Sequence, residues 1–390
     1  RAGGAGDSSG MFYVVWTVFL FAVGACVGSF LNVVIYRLPR GESIVFPPSH
    51  CPACGRRIRW YDNVPLVSWF ALRARCRSCK ARISPRYVVV EAATALLAAG
   101  LFVWYYVLDL RSGSGDFASS WPTFAAHAVL LCGLLACSVV DVEHWIVPLE
   151  VCWAVSAVGA AVGAASPHPF LPTVSPAAGA AAVGAGAGLI AALLLVRFGV
   201  LQPSFLDAAA HGAGAPAAPS RAGGGGRAAE APRRREVRSV AITKAHGVDP
   251  RREVLREVAF LAPAVALAVV AYLLVTGVPA VRAAWAAVTD HARAGRLAAH
   301  VNGFLAALFG YLIGGLWIWG TRILGTLAFG KEAMGLGDVH ILAAVGVVCG
   351  WIVPSIAFFV APFCGLLWAL KLVLTRRQRE LPYGPWLALA

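Results

Sequence analysis

The stretch 331-KEAMGLGDVHILAAVGVVCGWIV-353 sets one aspartate, Asp338, between a glycine-rich turn and a long apolar run. The run is built for a lipid environment, and the rest of the chain repeats it. Hydrophobic residues make up 59% of the sequence and charged residues 13%. Apolar segments at 11–36, 87–107, 122–141, 145–165, 176–197, 254–276, 302–325, 338–352 and 354–375 approach or exceed the roughly 20 residues that cross a bilayer. The pattern predicts an all-α polytopic membrane protein of about nine helices, the last two separated by Pro354. The first apolar run continues into GSFLNVVIYRLPR without a small-residue cleavage pattern, so no cleavable signal peptide is expected. Residues 1–10, ahead of Met11, read as an N-terminal extension.

The formal net charge of +14 would suggest a nucleic-acid partner in a soluble chain. Here the distribution points elsewhere. Arginine and lysine gather in 37–86, which holds eleven of them, in 197–256, and at Arg376, Arg377 and Arg379. Placing all three clusters in the cytoplasm obeys the positive-inside bias, with the N-terminus outside and nine crossings. Anionic lipid is then the expected partner of the basic loops, and no nucleic acid is expected. The stretch 277–301 has an apolar face at helical spacing and reads either as a surface helix or as a plain connection. Residues 203–253 are rich in alanine, glycine, proline and arginine, with almost nothing to bury, and read as a disordered basic loop.

Within 37–86, Cys51-Pro-Ala-Cys54 and Cys76-Arg-Ser-Cys79 form two CxxC pairs 21 residues apart. This spacing predicts a small zinc-ribbon-like domain in which Cys51, Cys54, Cys76 and Cys79 hold one structural ion. Four thiolates leave no open position for substrate, and a segment with so few large apolar residues needs such a staple. Cys26, Cys132, Cys137, Cys152, Cys349 and Cys364 lie singly in or beside apolar segments and read as small hydrophobes.

Acidic residues in or at the mouths of membrane helices are costly, and each is a functional candidate. They are Glu91, Asp141 and Glu143 in SVVDVEHWIVP, and Asp338. The topology brings Asp141 and Asp338 to the same membrane face. Two carboxylates across a water can share one proton and divide the roles of base and acid in peptide hydrolysis. Gly335 and Gly337 would then let an extended substrate backbone approach Asp338. The competing reading makes Asp338 the N-cap of its helix. A metal site of Asp141, His144, Asp338 and His340 is a further, weaker alternative.

These blocks together resemble the type IV prepilin peptidase family, the GxGD membrane aspartyl proteases of pili and type II secretion. The resemblance is carried by GSFLNVVIYRLPR (28–40), FPPSHCPACGRRIRWYDNVPLVSW (46–69), CRSCKARISPRYVVVEAATALL (76–97), SVVDVEHWIVP (138–148), FGKEAMGLGDVHILAAVG (329–346) and LPYGPWLALA (381–390). It implies that Asp141 and Asp338 are the catalytic pair and that Glu91 supports the site or packs on the ribbon. The implied substrates are prepilins or pseudopilins, cut after a glycine at the cytoplasmic face of the bacterial inner membrane. It also implies N-methylation of the new terminus with S-adenosylmethionine.

The chain departs from the family pattern at several points. Ala74-Arg75 precedes Cys76 where the family has glycine and a basic residue. Glu143 and Glu150 stand where the family pattern has aspartates. The two catalytic aspartates lie 197 residues apart, with an insertion over 166–301 that adds two helices. The final PYGPWLALA normally opens one more helix, so the reading expects truncation there. A non-catalytic scaffold docking partners through the zinc domain is the alternative function. A solute-coupled transporter fits poorly, because charges deep in several helices are missing. The particular prepilin and the oligomeric state are not legible.

Overall fold

The computed structural model describes residues 5–110, 116–166, 170–202, 250–374 and 384–390. Among the described residues it is helical, with two isolated bridges and no named strand. Six helices are long and apolar enough to cross a membrane: Gly10–Arg40, Arg86–Val107, Phe117–His144, Pro176–Arg197, Arg251–Gly277 and Arg296–Phe329. Leu149–Ala165, Leu336–Cys349 and Ile352–Leu366 are shorter apolar helices. Together they match the nine segments read from the sequence.

We label the helices α1 (Ala5–Arg37), α2 (Val67–Ala71), α3 (Arg86–Phe102), α4 (Phe117–His144), α5 (Leu149–Ala165), α6 (Pro176–Arg197), α7 (Pro250–Gly277), α8 (Pro279–Thr289), α9 (His291–Ala294), α10 (Arg296–Phe329), α11 (Leu336–Cys349), α12 (Ile352–Leu374) and α13 (Gly384–Leu389). Helix α1 runs through residues 5–10 of the expected extension, since adding turns to an existing helix is easy once it is nucleated. The loop expected over 203–253 lies outside the described residues except for its last four, which open α7. The 277–301 stretch forms the short α8 and α9, and Trp285 Nε1 donates to the Pro176 carbonyl at 3.0 Å to tie α8 to the start of α6.

The expectation that Pro354 divides the last two helices needs correction. Gly350, at φ 80, ends α11, and Pro354 lies in the first turn of α12, where its missing amide costs no hydrogen bond.

Lipid supplies no hydrophobic drive between helices, so close contact depends on small residues. Helices α10 and α11 cross through Gly310, Gly314 and Gly346, and a Cβ at Gly310 would come within 2.0 Å of the Gly346 carbonyl oxygen. Helix α1 lies on α3 through Gly24 and Gly28 in the same manner. Leu31, Ile35, Val90, Ala136 and Val140 form one core cluster joining α1, α3 and α4. Val90 and Val140 immediately precede Glu91 and Asp141, so this cluster sets both acids at one level.

Candidate functional site

Helix α4 ends at His144, capped by Trp145 in the left-handed conformation, and this places Asp141 in the last helical turn. Its carboxylate is buried and accepts a hydrogen bond from the Gly384 amide at the start of α13. Asp338 lies in the first turn of α11, equally buried, and within reach of the Asp141 charge. Ile341, one turn beyond Asp338, packs with Cys137, one turn before Asp141, so the two aspartates lie on facing turns of α11 and α4.

The cap is Gly335, not Asp338. Asp338 sits at the third helical position and its carboxylate accepts from the Gly335 amide behind it, which is half of a capping box. Gly335 has φ −73, open to any residue, and a Cβ there would meet nothing closer than Asp338 Oδ2 at 3.6 Å. Gly337 is different. Its Cβ would lie 2.5 Å from the Val147 Cβ, so this glycine lets the start of α11 press against the α4–α5 connection.

Glu91 is buried on α3, and its Oε2 accepts from the Leu66 amide at 2.7 Å. It ties the cysteine-bearing segment to the helices. On the same helix Arg86 forms a 2.6 Å ion pair with Glu143, two residues beyond Asp141. His144 and His340 do not join the aspartates in a metal cluster. His340 lies edge-on to Trp153, and among the described residues the four cysteines are the only group of three or more potential ligands.

The cysteine segment is two copies of one turn. Cys51 N donates to Arg56 O and Gly55 N to Cys51 O, while Cys76 N donates to Ala81 O and Lys80 N to Cys76 O. The fifth residue of each copy is left-handed, Gly55 at φ 68 and Lys80 at φ 60. All four Sγ atoms lie within 4.8 Å of one another, with Cys51 and Cys79 at 3.8 Å. Thiolates held at about 2.3 Å from a tetrahedral ion would be about 3.8 Å apart, so the set fits a metal. The Cys76 thiol is pulled down to about 6, chiefly by the Cys79 amide and then that of Ser78, and so favours the thiolate that binds metal.

Ala74, at the position of the family's glycine, sits at φ 54 beside Arg73 at φ 51. An L residue there is strained by about 1–2 kcal/mol. Between this domain and α1 and α3 lies a crevice of about 430 Å³, lined by Tyr36, Trp69, Tyr87, Glu91 and Arg86 among others. Among the described residues, the Trp69 indole N–H has no hydrogen-bond partner.

Sequence reasoning missed Gly384. Its block was recognisable, but nothing in it indicates that its amide caps an aspartate 243 residues earlier.

Residues 22–105 match the family model described as the Bacterial Peptidase A24 N-terminal domain. The chain is 46% identical to a prepilin leader peptidase/N-methyltransferase of Myxococcus xanthus over 142 residues, which are 36% of this chain and 38% of that protein. It is 37% identical to the Pseudomonas aeruginosa protein of the same name over 159 residues, 35% of this chain and 49% of that one. A type 4 prepilin-like proteins leader peptide-processing enzyme of Escherichia coli is 41% identical over 145 residues, 32% of this chain and 48% of that one. The chain thus spans less than half the length of each of these relatives. No solved structure matches. The resemblance expected from the motifs is borne out: the chain is similar to the prepilin leader peptidase/N-methyltransferases, and its residues 22–105 match the N-terminal domain of the bacterial A24 peptidases.

Proposed function

We propose that this protein is a membrane aspartyl endopeptidase that removes the basic leader of a prepilin or pseudopilin after a glycine, at the cytoplasmic face of the inner membrane. The observation that carries the reading is the placing of Asp141 and Asp338, two buried carboxylates, on facing helix turns that Cys137 and Ile341 pack together. Buried like charges disfavour double ionisation, so the pair holds one proton between them. The ionised member takes a proton from a water as its oxygen attacks the scissile carbonyl, and the protonated member donates to that carbonyl. Collapse of the tetrahedral intermediate breaks the C–N bond, and the proton taken from water passes to the departing amine. The Gly384 amide orients Asp141, and the Gly335 amide orients Asp338. An extended backbone approaches over Gly335, where the protein leaves room. Membrane lipid is the partner of the basic cytoplasmic segments.

Cys51, Cys54, Cys76 and Cys79 hold a structural zinc, the ion favoured by four thiolates at this spacing. The new N-terminal amine would then be methylated, forming a C–N bond as the sulfonium donor leaves as a thioether and the amine gives up a proton. S-adenosylmethionine would supply an electrophilic methyl group; the crevice beside Glu91 supports its binding by size and by its aromatic side chains, with Asp62 and Glu91 facing the cationic groups and the six lining arginines available to its carboxylate. Co-expression with a prepilin bearing a Gly-Phe junction tests the reading by intact mass. A product shortened at the glycine and heavier by one methyl group is expected, and a full-length precursor would favour a scaffold.

A further inference from the structure

Arg322 is the largest fully buried side chain among the described residues, 1% exposed on α10 two turns before that helix ends. Its Nε donates to Glu257 Oε1 at 2.8 Å, and Glu257, 2% exposed, lies on α7 within the stretch that separates the two aspartates. The other Glu257 oxygen accepts from Trp319 Nε1 at 3.1 Å, one turn before Arg322. Arg322 Nη1 donates to Glu332 Oε1 at 2.6 Å and also to the Met334 carbonyl. Glu332 and Met334 belong to the loop that leads into Gly335 and Asp338, and Asp338 itself feels the Arg322 charge.

A cation in a membrane helix needs partners, and these three hold it from two directions. One is a helix outside the matched domain and the other is the loop of the proposed catalytic acid. We infer that Glu257 and Arg322 form a brace by which α7 fixes the 330–338 loop, making both positioning residues for Asp338. The inference rests on the reading of Asp338 as catalytic only for its effect on rate. The mechanical link stands on the contacts alone.

With Glu257 anchoring one side of the guanidinium, Arg322 can hold Met334 and Glu332 in a single arrangement. Without it, Arg322 loses the buried carboxylate that ties it to α7, and Glu332, 38% exposed, can draw it toward water. The loop then loses its fixed point two turns inside the helix bundle. A misplacement of about 1 Å at a reacting group can cost about a hundredfold in rate.

The test uses the full-length protein in lipid nanodiscs, comparing wild type with Glu257→Ala, Glu257→Gln and Trp319→Phe. Hydrogen exchange over 330–338 is followed beside prepilin cleavage kinetics. Glu257→Ala is expected to speed exchange of 330–338 at least tenfold while that of α1 and α3 stays unchanged. It is also expected to lower kcat at least tenfold with KM within twofold. Glu257→Gln, which keeps the shape and one acceptor, should fall between, and it carries the test if the alanine variant does not assemble. Unchanged exchange of 330–338 in both Glu257 variants overturns the brace, whether or not the wild type cuts prepilin. Wild-type kcat alongside faster loop exchange overturns the positioning role.

Discussion

Replacing Gly337 by alanine separates the packing role of the GLGD turn from any role in admitting substrate. In an open helix the change should help, because alanine is favoured over glycine by about 1 kcal/mol. Here the new Cβ would stand 2.5 Å from Val147 Cβ and 2.7 Å from its Cγ2, whereas carbon atoms settle at about 3.5–4.0 Å. The start of α11 must therefore move about 1 Å from the α4–α5 connection. Overpacking of this kind costs about 1–3 kcal/mol, so the net change in stability is small or moderately unfavourable. Asp338 is the next residue and moves with the turn. A shift of that size predicts a loss of about a hundredfold in kcat, equivalent to about 2.7 kcal/mol of barrier. The assay is single-turnover cleavage of a prepilin in nanodiscs, with thermal unfolding measured on the same samples. Val147→Gly removes the atom that clashes and should restore much of the activity to Gly337→Ala, whereas Val147→Ala leaves that atom in place. Gly335→Ala is the contrast, because the protein has room for its methyl. It should leave the unfolding temperature unchanged and raise KM if substrate passes over it. Wild-type kcat in Gly337→Ala would refute the packing argument.

Ala74→Gly should stabilise the cysteine domain by up to about 1 kcal/mol, by relieving a left-handed alanine at a small entropic cost, and protease resistance of the 41–83 region would show it. Elemental analysis of the wild type should find about one zinc per chain, and Cys76→Ser should lose it and expose the same region to proteolysis. Glu143→Gln removes the Arg86 ion pair, but both partners are partly exposed, so the loss should stay below about 1 kcal/mol and barely move the unfolding temperature.

The membrane helices were legible because lipid demands long apolar runs, and that demand leaves a mark in the sequence whatever the helices pack against. The CxxC pairs were legible for a similar reason: tetrahedral thiolate geometry needs two short turns at fixed spacing. Asp141 and Asp338 could be singled out because charge is scarce in such a chain. What joins these parts was hidden. Glu257 and Arg322 are 65 residues apart, and neither stood out among the helix charges, because nothing near it in the sequence points to its partner. The Gly384 amide carries no side-chain signal. Ala74 drew notice only as a departure from the family pattern, and its positive φ supplies the physical reason a glycine suits that position. Asp338 as an N-cap was one residue type correctly matched to the wrong place, because Gly335 supplies the cap backbone and Asp338 reaches back to it.

The central claim is that Asp141 and Asp338 act as one unit on one water. The most direct test measures single-turnover prepilin cleavage by wild type, Asp141→Asn, Asp338→Asn and the double variant, each with its folding verified. Asparagine preserves size and an acceptor but cannot share the proton. Groups acting as a unit are strongly non-additive, so each single variant should lose as much activity as the double. Cleavage at the wild-type rate by either single variant would contradict the account.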